Sequence, residues 1–145
     1  MSVSSYADAL FIQSRIQTTL KVLIADDFYT NRLQVKIVLQ AMGFIAEEAE
    51  NGMEVIRQLE NHTFSLILMD IEMPVMNGLE TTQYIREQMS PDKSKTPVVA
   101  ITAHNPEEYF DNFKKHGFDG LITKPVTKEK IARVIREALP DSNYK

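Results

Sequence analysis

Short apolar runs alternate with stretches of helical periodicity five times along the chain. The apolar runs predict β-strands at residues 21–25, 44–49, 65–69, 97–101 and 121–123. The clearest of the stretches between them repeat apolar residues every three or four positions, which is the spacing of an amphipathic helix. These stretches predict helices at residues 31–42, 53–60, 77–89, 106–115 and 127–139, with a polar loop at residues 90–96. Strands that alternate with helices indicate a parallel sheet covered by helices on both faces.

The number of strand–helix units bounds the architecture. Five units are too few for an eight-unit barrel, so we predict an open, doubly wound α/β sheet of five strands. Polar residues interrupt the run at residues 44–49, and we expect that strand toward the sheet edge.

The chain divides into one domain at residues 21–140, an N-terminal extension at residues 1–20 and a tail at residues 141–145. Apolar residues at positions 9, 12, 16 and 20 of the extension share one face of a predicted extra helix. This helix would dock on its own domain, join a dimer or be the end of a longer helix in a parent protein.

Composition and charge exclude several classes of protein. The 145 residues include no cysteine, which removes disulfides, thiolate zinc sites and cysteine nucleophiles. The net charge is -4, which argues against nucleic-acid binding by charge. Residues 1–113 hold 8 basic and 16 acidic side chains (net -8), and residues 114–145 hold 8 and 4 (net +4). The basic end is either a solvated helix surface or a face for an acidic partner.

The apolar runs are also too short for a membrane protein. None is longer than four residues, whereas a membrane-spanning helix needs about 20. The N-terminus has no signal-peptide core, because polar residues break up its apolar positions. We therefore expect a soluble, cytoplasmic domain without a membrane partner.

Chemically versatile residues follow four of the predicted strands. They are Asp26 and Asp27, Asp70, Thr102 and Lys124. The carboxyl ends of parallel strands meet at one edge of the sheet, so we expect these side chains to converge. Three clustered carboxylates repel one another and require a cation, and oxygen ligands favour Mg²⁺. A lysine and a hydroxyl beside that cation would hold the oxygens of a phosphoryl group.

Around these residues the chain resembles the receiver domain of two-component response regulators, over about residues 20–140. The matching segments are VLIADD (22–27), AENGMEV (49–55), LILMDIEMPVMNGLE (66–80), VVAITAH (98–104) and ITKP (122–125). The third segment is especially similar to receivers attached to hybrid sensor histidine kinases. The resemblance implies a flavodoxin-like sheet with the strand order 2-1-3-4-5.

The resemblance also implies a role for each residue of the cluster. Asp70 would be the phosphoacceptor, taking a phosphoryl group from a histidine kinase or a histidine phosphotransfer domain. Thr102 and Lys124 would contact the phosphoryl oxygens. The implied Mg²⁺ ligands are Asp26, Asp27, Asp70 and the backbone carbonyl of Glu72. The Lys124–Pro125 bond would be cis, and Gly78 would permit a close backbone approach after the acceptor.

One position departs from the family pattern. Many receivers carry an aromatic residue three positions before the active lysine, and this chain has Leu121 there. Aromatic gating of the output surface is therefore not expected in the usual form. Glu72 and His104 occupy the positions that tune phosphate lifetime in this family.

Three functions fit these residues. The first is a phosphoacceptor signalling module, catalytic only toward its own phosphorylation and dephosphorylation, that acts on a downstream protein or by self-association. The second is a Mg²⁺-dependent phosphohydrolase with Asp70 as nucleophile and Glu72 as acid. The third is an interaction module that is never phosphorylated, which the intact cluster disfavours.

Six residues follow Leu139, too few for an output domain. We therefore expect a stand-alone regulator, a phosphorelay intermediate or the receiver of a hybrid kinase.

Overall fold

The structure, a computed structural model, describes residues 19–103 and 113–140. Five parallel strands form one sheet in the order β2-β1-β3-β4-β5. The strands are β1 (Lys21–Ala25), β2 (Ile45–Ala49), β3 (Leu66–Asp70), β4 (Val98–Thr102) and β5 (Gly120–Thr123). The predicted fold class and strand order are confirmed, and β2 lies at the sheet edge as its polar interruptions indicate.

Helices cover both faces of this sheet. They are α1 (Tyr29–Ala41), α2 (Gly52–Asn61), α3 (Gly78–Gln88), α4 (Pro91–Ser94) and α5 (Lys128–Ala138). Residues 113–115 are helical, but most of the helix predicted at residues 106–115 lies outside the described residues. The predicted N-terminal helix also lies outside them, except at residues 19 and 20, and so does the tail at 141–145. None of the helices in the described ranges is long and apolar enough to span a membrane.

The polar loop predicted at residues 90–96 is wrong in part, because α4 forms within it. Pro91 takes the first position of this helical turn, where a missing N–H costs no hydrogen bond. Apolar periodicity cannot reveal a four-residue helix with no buried residue.

The core consists of two halves, one on each face of the sheet. Val22 and Ile24 of β1 pack in the half that contains the apolar sides of α1 and α5. Leu23 and Ala25 pack in the other half, with α2 and α3. Successive strand residues alternate between faces, so a strand covered on both sides must be apolar throughout. This is why β3 and β4, like most of β1, read as continuous apolar runs and are buried along their whole length.

The strand register aligns the carboxyl ends of the strands. Ala25 lies opposite both Ala49 and Met69, the residue before Asp70. Asp70 in turn pairs with Ile101, and Thr102 with Thr123. The residues at the ends of β1, β3, β4 and β5 therefore share one edge of the sheet.

Side-chain caps begin three of the helices. Asn51 caps α2, Thr127 caps α5, and Asn77 forms a reciprocal capping box with Glu80 at α3. Helix α1 differs, because its N-cap residue Phe28 supplies no side-chain hydrogen bond. Another group must therefore hold the turn that leads from β1 into α1.

Gly78 begins α3 in close contact with the end of β3. A Cβ atom at Gly78 would lie 2.6 Å from the carbonyl oxygen of Asp70 and 2.9 Å from the Cα of Ile71. Both neighbours are backbone atoms, so they yield only if the loop after β3 moves. The close approach that the resemblance implies is present.

Replacing Gly78 with alanine should therefore destabilise the protein, by about 1–3 kcal/mol, the usual cost of overpacking. Urea unfolding gives the free energy of unfolding, and Gly120→Ala is the matched control. A Cβ at Gly120 would meet nothing closer than 3.4 Å, at the Val99 side chain. Equal losses in the two variants would contradict the steric account of Gly78.

Candidate functional site

Three carboxylates meet at the carboxyl edge of the sheet. Asp26, Asp27 and Asp70 each place one carboxylate oxygen within 4.8 Å of the others. Asp26 and Asp70 are buried, each with 5% of its surface exposed, whereas Asp27 is exposed to solvent. The convergence predicted from the strand ends is therefore observed for all three residues.

Local backbone bonds orient the two buried carboxylates. Asp26 Oδ1 accepts a hydrogen bond of 2.9 Å from the N–H of Phe28, and Asp70 Oδ1 accepts one of 2.9 Å from the N–H of Glu72. Each bond reaches two residues ahead, as aspartate side chains do in turns. The second oxygen of each carboxylate remains for other partners.

Lys124 pairs with the second oxygen, Oδ2, of both Asp70 and Asp26. Its Nζ lies 2.8 Å from Asp70 Oδ2 and 3.8 Å from Asp26 Oδ2. The backbone N–H of Lys124 donates to the carbonyl of Thr102 at 2.8 Å, which joins the ends of β4 and β5. The Lys124–Pro125 peptide is cis, as the resemblance implies.

The electrostatics of the site show an unbalanced negative charge. Burial raises the pKa of Asp26 to about 6, and the charge of Asp70 adds to this, although the hydrogen bond from Phe28 opposes it. Burial acts to lower the pKa of Lys124, but the hydrogen bond and charge of Asp70 outweigh it and the pKa is raised. One lysine therefore faces three carboxylates and does not neutralise them.

The remaining predicted residues have different outcomes. Thr102 is buried at the end of β4, on the same edge of the sheet. Glu72 contributes its N–H to Asp70, and the metal role of its carbonyl stays a prediction. Leu121 is buried in the half of the core that contains α2 and α3. His104 lies outside the described residues.

The donor set fits a hard divalent cation. Its three side-chain ligands are all oxygen donors, two of them buried, and their charge is only partly offset by Lys124. Mg²⁺ binds through a few carboxylates and keeps several water ligands, which suits a site open to solvent at Asp27. The chemistry that such an ion supplies is neutralisation of charge on a transferring phosphoryl group.

Arg32 is a residue near the site that the sequence reasoning missed. It lies on the buried side of α1 with Val35 and Leu39, and its Nη1 donates to the backbone carbonyl of Asp26 at 2.7 Å. The available signal was its spacing, since Arg32 precedes Val35 by three residues and Leu39 by seven. A charged residue at a position of the apolar face requires a buried polar partner.

Known sequences similar to this chain identify its family. The family model of the response regulator receiver domain matches residues 22–136. The sensor protein GacS of Pseudomonas syringae pv. syringae is 33% identical over 116 residues, which cover 79% of this chain. The match spans only 13% of GacS.

Solved structures give the same result. The chemotaxis response regulator CheY4 of Vibrio cholerae superposes with a TM-score of 0.74 at 31% identity, covering 84% of this chain and 100% of that chain. The receiver domain of the sensor histidine kinase PA1611 from Pseudomonas aeruginosa PAO1 has a TM-score of 0.75 at 22% identity. That match covers 86% of this chain and 100% of that one, and shows a common fold. The PA1611 receiver holds a magnesium ion in its active site cleft.

The raised pKa of Asp26 predicts how the metal-free protein responds to pH. The folded state retains a proton on Asp26 up to about pH 6, whereas the unfolded chain loses it near the ordinary aspartate pKa of 3.8. Stability should therefore fall as the pH rises from about 4 to about 6. Asp26→Asn keeps the acceptor for the Phe28 N–H and removes the charge. In EDTA, this variant should melt at a higher temperature than the parent at pH 7, and at a similar temperature near pH 4.

Thermal unfolding across this pH range, with Glu60→Gln as the control for removal of an exposed carboxylate, provides the measurement. Saturating Mg²⁺ should reverse the order of the two melting temperatures at pH 7, because the ion stabilises the folded parent, which binds it more tightly than Asp26→Asn does. A melting temperature below the parent's at pH 7 in EDTA would mean that Asp26 stabilises the fold through its charge.

Proposed function

The chain belongs to the response regulator receiver domain family, the phosphoacceptor module of two-component and phosphorelay signalling, and on this premise we propose that Asp70 is its phosphoacceptor. The observation that carries the proposal is the position of its carboxylate. Asp70 lies within the three-carboxylate cluster and contacts Lys124 through Oδ2 at 2.8 Å. A nucleophilic oxygen, a metal site and a cation for the phosphoryl group thus lie together.

The proposed reaction is phosphoryl transfer from a phosphohistidine. A carboxylate oxygen of Asp70 forms a bond to phosphorus while the bond from phosphorus to the histidine nitrogen breaks. The histidine keeps the electron pair, and the product is an acyl phosphate. Such transfers depend on positioning and charge neutralisation more than on covalent work by the protein.

The other residues of the site would orient and neutralise. Asp26, Asp27 and the carbonyl of Glu72 would hold Mg²⁺ together with Asp70, in keeping with the magnesium ion in the PA1611 receiver. Lys124 would exchange its contact with Asp70 for a phosphoryl oxygen, since charge-assisted bonds to a dianion are strong. The hydroxyl of Thr102 would bond another oxygen.

A histidine kinase or a histidine phosphotransfer domain is the proposed donor, and a cytoplasmic location follows from such a donor. An exposed apolar surface beside the site supports a protein partner. Phe28 and Tyr29, which follow Asp27, are 63% and 61% exposed. Leu33 and Ile37 extend this surface along the outer side of α1 at intervals of four residues. Exposed apolar side chains grouped in this way are typical of interaction sites.

We also propose that catalysis is limited to the chain's own phosphorylation and dephosphorylation. A phosphohydrolase would use the Glu72 side chain as an acid on the leaving group. That side chain is exposed, and Glu72 contacts Asp70 through its backbone N–H.

Acetyl phosphate with Mg²⁺ should add one phosphoryl group, on Asp70, and EDTA should prevent the addition. The reason is that a donor without the metal meets three negative charges. Intact-protein mass spectrometry and peptide mapping measure the adduct. Asp70→Asn should abolish it, whereas Asp92→Asn, which alters an exposed carboxylate on α4, should leave it unchanged. Labelling of Asp70→Asn at another residue at a similar rate would overturn the assignment.

Phosphorylation should also change the surface near Leu121, but weakly. Movement of Thr102 toward the phosphoryl group leaves space that Leu121 fills less completely than an aromatic ring. We expect a coupling of about 1 kcal/mol, at the low end of the usual range. Beryllofluoride mimics the phosphoryl group, and amide chemical shifts at residues 103–122 report the response, with the largest changes at residues 103–105.

Leu121→Tyr should enlarge this response, and Leu121→Met is the control of similar size without a ring. An unchanged response in Leu121→Tyr would refute the aromatic argument and leave the acceptor assignment intact. Shifts confined to Asp26, Asp70 and Lys124 would show that the site is not coupled to this surface.

A further inference from the structure

Arg32 is a buried charge that the proposed reaction does not use. Only 6% of its surface is exposed. Its Nη1 donates to the carbonyl of Asp26 at 2.7 Å, and its Nε donates to Glu48 Oε1 at 3.1 Å. Lys36 bonds the other oxygen of Glu48 at 3.2 Å. A charged network therefore links α1 and the edge strand β2 to the turn after β1.

The carbonyl that Arg32 contacts belongs to the peptide between Asp26 and Asp27. The preceding peptide, between Ala25 and Asp26, is held as well, because its N–H donates to the carbonyl of Ala49 at 3.2 Å. The direction of this peptide decides where both carboxylates point. Phe28 supplies no side-chain cap at the start of α1. The turn is held instead by the Asp26 carboxylate, which accepts from the Phe28 N–H, and by the guanidinium, which donates to the Asp26 carbonyl.

The simpler explanation is that Arg32 stabilises the fold and has no role at the metal site. A buried guanidinium is expensive to desolvate, and an apolar residue of similar size would pack against Val35 and Leu39 at lower cost. The fork of donors does what an apolar residue cannot, since it bonds a carbonyl and a carboxylate simultaneously. The desolvation cost of the guanidinium is therefore explained by its bonds, which fix the turn that carries the predicted metal ligands Asp26 and Asp27.

We propose that Arg32 is a positioning residue for the metal site, which sets the Asp26–Asp27 peptide in the orientation that binds Mg²⁺. The inference rests on the proposed function, because it assumes the metal site. Glu48 holds the guanidinium in place through Oε1, whereas Lys36 bonds only the other oxygen of Glu48 and does not contact Arg32 or the Asp26 carbonyl. Groups that orient metal ligands in this way contribute strongly to affinity although they do not touch the ion.

The sign of the effect separates positioning from simple charge. Arg32 and Mg²⁺ are both positive, so loss of the arginine charge alone should tighten Mg²⁺ binding. Loss of positioning should weaken it. The two explanations therefore predict opposite changes in Kd for Arg32→Met.

Calorimetric titration with Mg²⁺ tests this in four proteins. Arg32→Met should raise the Kd by about tenfold, the lower end of the usual effect of such partners. Lys36→Met removes a positive charge from the same network without touching the Asp26 carbonyl, and its Kd should be unchanged or lower. Arg86→Met removes an arginine that bonds the carbonyls of Gly117 and Thr96 away from the site. Its melting temperature should fall without a change in Kd.

Each outcome decides between the explanations. A Kd for Arg32→Met equal to or below that of Lys36→Met overturns the positioning role while leaving the metal site established. Absence of Mg²⁺ binding in the unmodified protein refutes the proposed function itself. If Arg32→Met does not fold, Arg32→Lys decides, because lysine keeps the charge but not the fork of donors. Its Kd should exceed that of the unmodified protein, and an unchanged Kd overturns the inference.

Discussion

The parallel pairing of β1 with β3 is the constraint on which the rest of the structure depends. It sets Ala25 opposite Met69, so the residues that follow, Asp26 and Asp70, emerge side by side at one edge of the sheet. Pairing of β4 and β5 brings Thr102 and Lys124 to the same edge. Asp26, Asp70, Thr102 and Lys124 need no specialised loop to reach the site, because they end the four strands or follow them directly. Asp27 and Glu72 lie one and two residues further on, in the turns after β1 and β3.

That placement has an electrostatic cost, which the apolar core offsets. Two like charges about 4 Å apart repel by about 4 kcal/mol at an effective dielectric constant of 20. One fully buried Val, Leu or Ile contributes about 1.5–3 kcal/mol, as an upper estimate. Val22, Leu23 and Ile24 are all fully buried in β1, so their burial is of the same order as the repulsion of one carboxylate pair, before the entropy of ordering the strand is counted. The sheet can therefore hold the carboxylates close together. This arrangement lowers the stability of the fold but favours binding of a cation.

Polar contacts adjust the site within this frame. Lys124 contacts Asp70 and Asp26, and the bonds from the Phe28 N–H and the Glu72 N–H fix the orientations of the two carboxylates. Arg32 acts on the backbone between the two neighbouring aspartates. Arg32 thus connects the carboxylate cluster to Glu48 on β2. The guanidinium on α1 is buried, whereas the carboxylate of Asp27 is exposed to solvent.

The sequence by itself determined the sheet, its two covered faces and the cluster of Asp26, Asp27 and Asp70, because apolar runs and the residues after them are local patterns. It also indicated β2 as an edge strand. The tertiary structure alone decided which oxygens Lys124 contacts, the raised pKa of Asp26 and the contact of Arg32 with the Asp26 carbonyl. These depend on burial and on partners distant in sequence, such as Glu48 on β2 for Arg32 on α1, and pairing across a sheet cannot be read from one segment. Helix α4 remained hidden for a related reason, since it buries no residue and leaves no apolar periodicity.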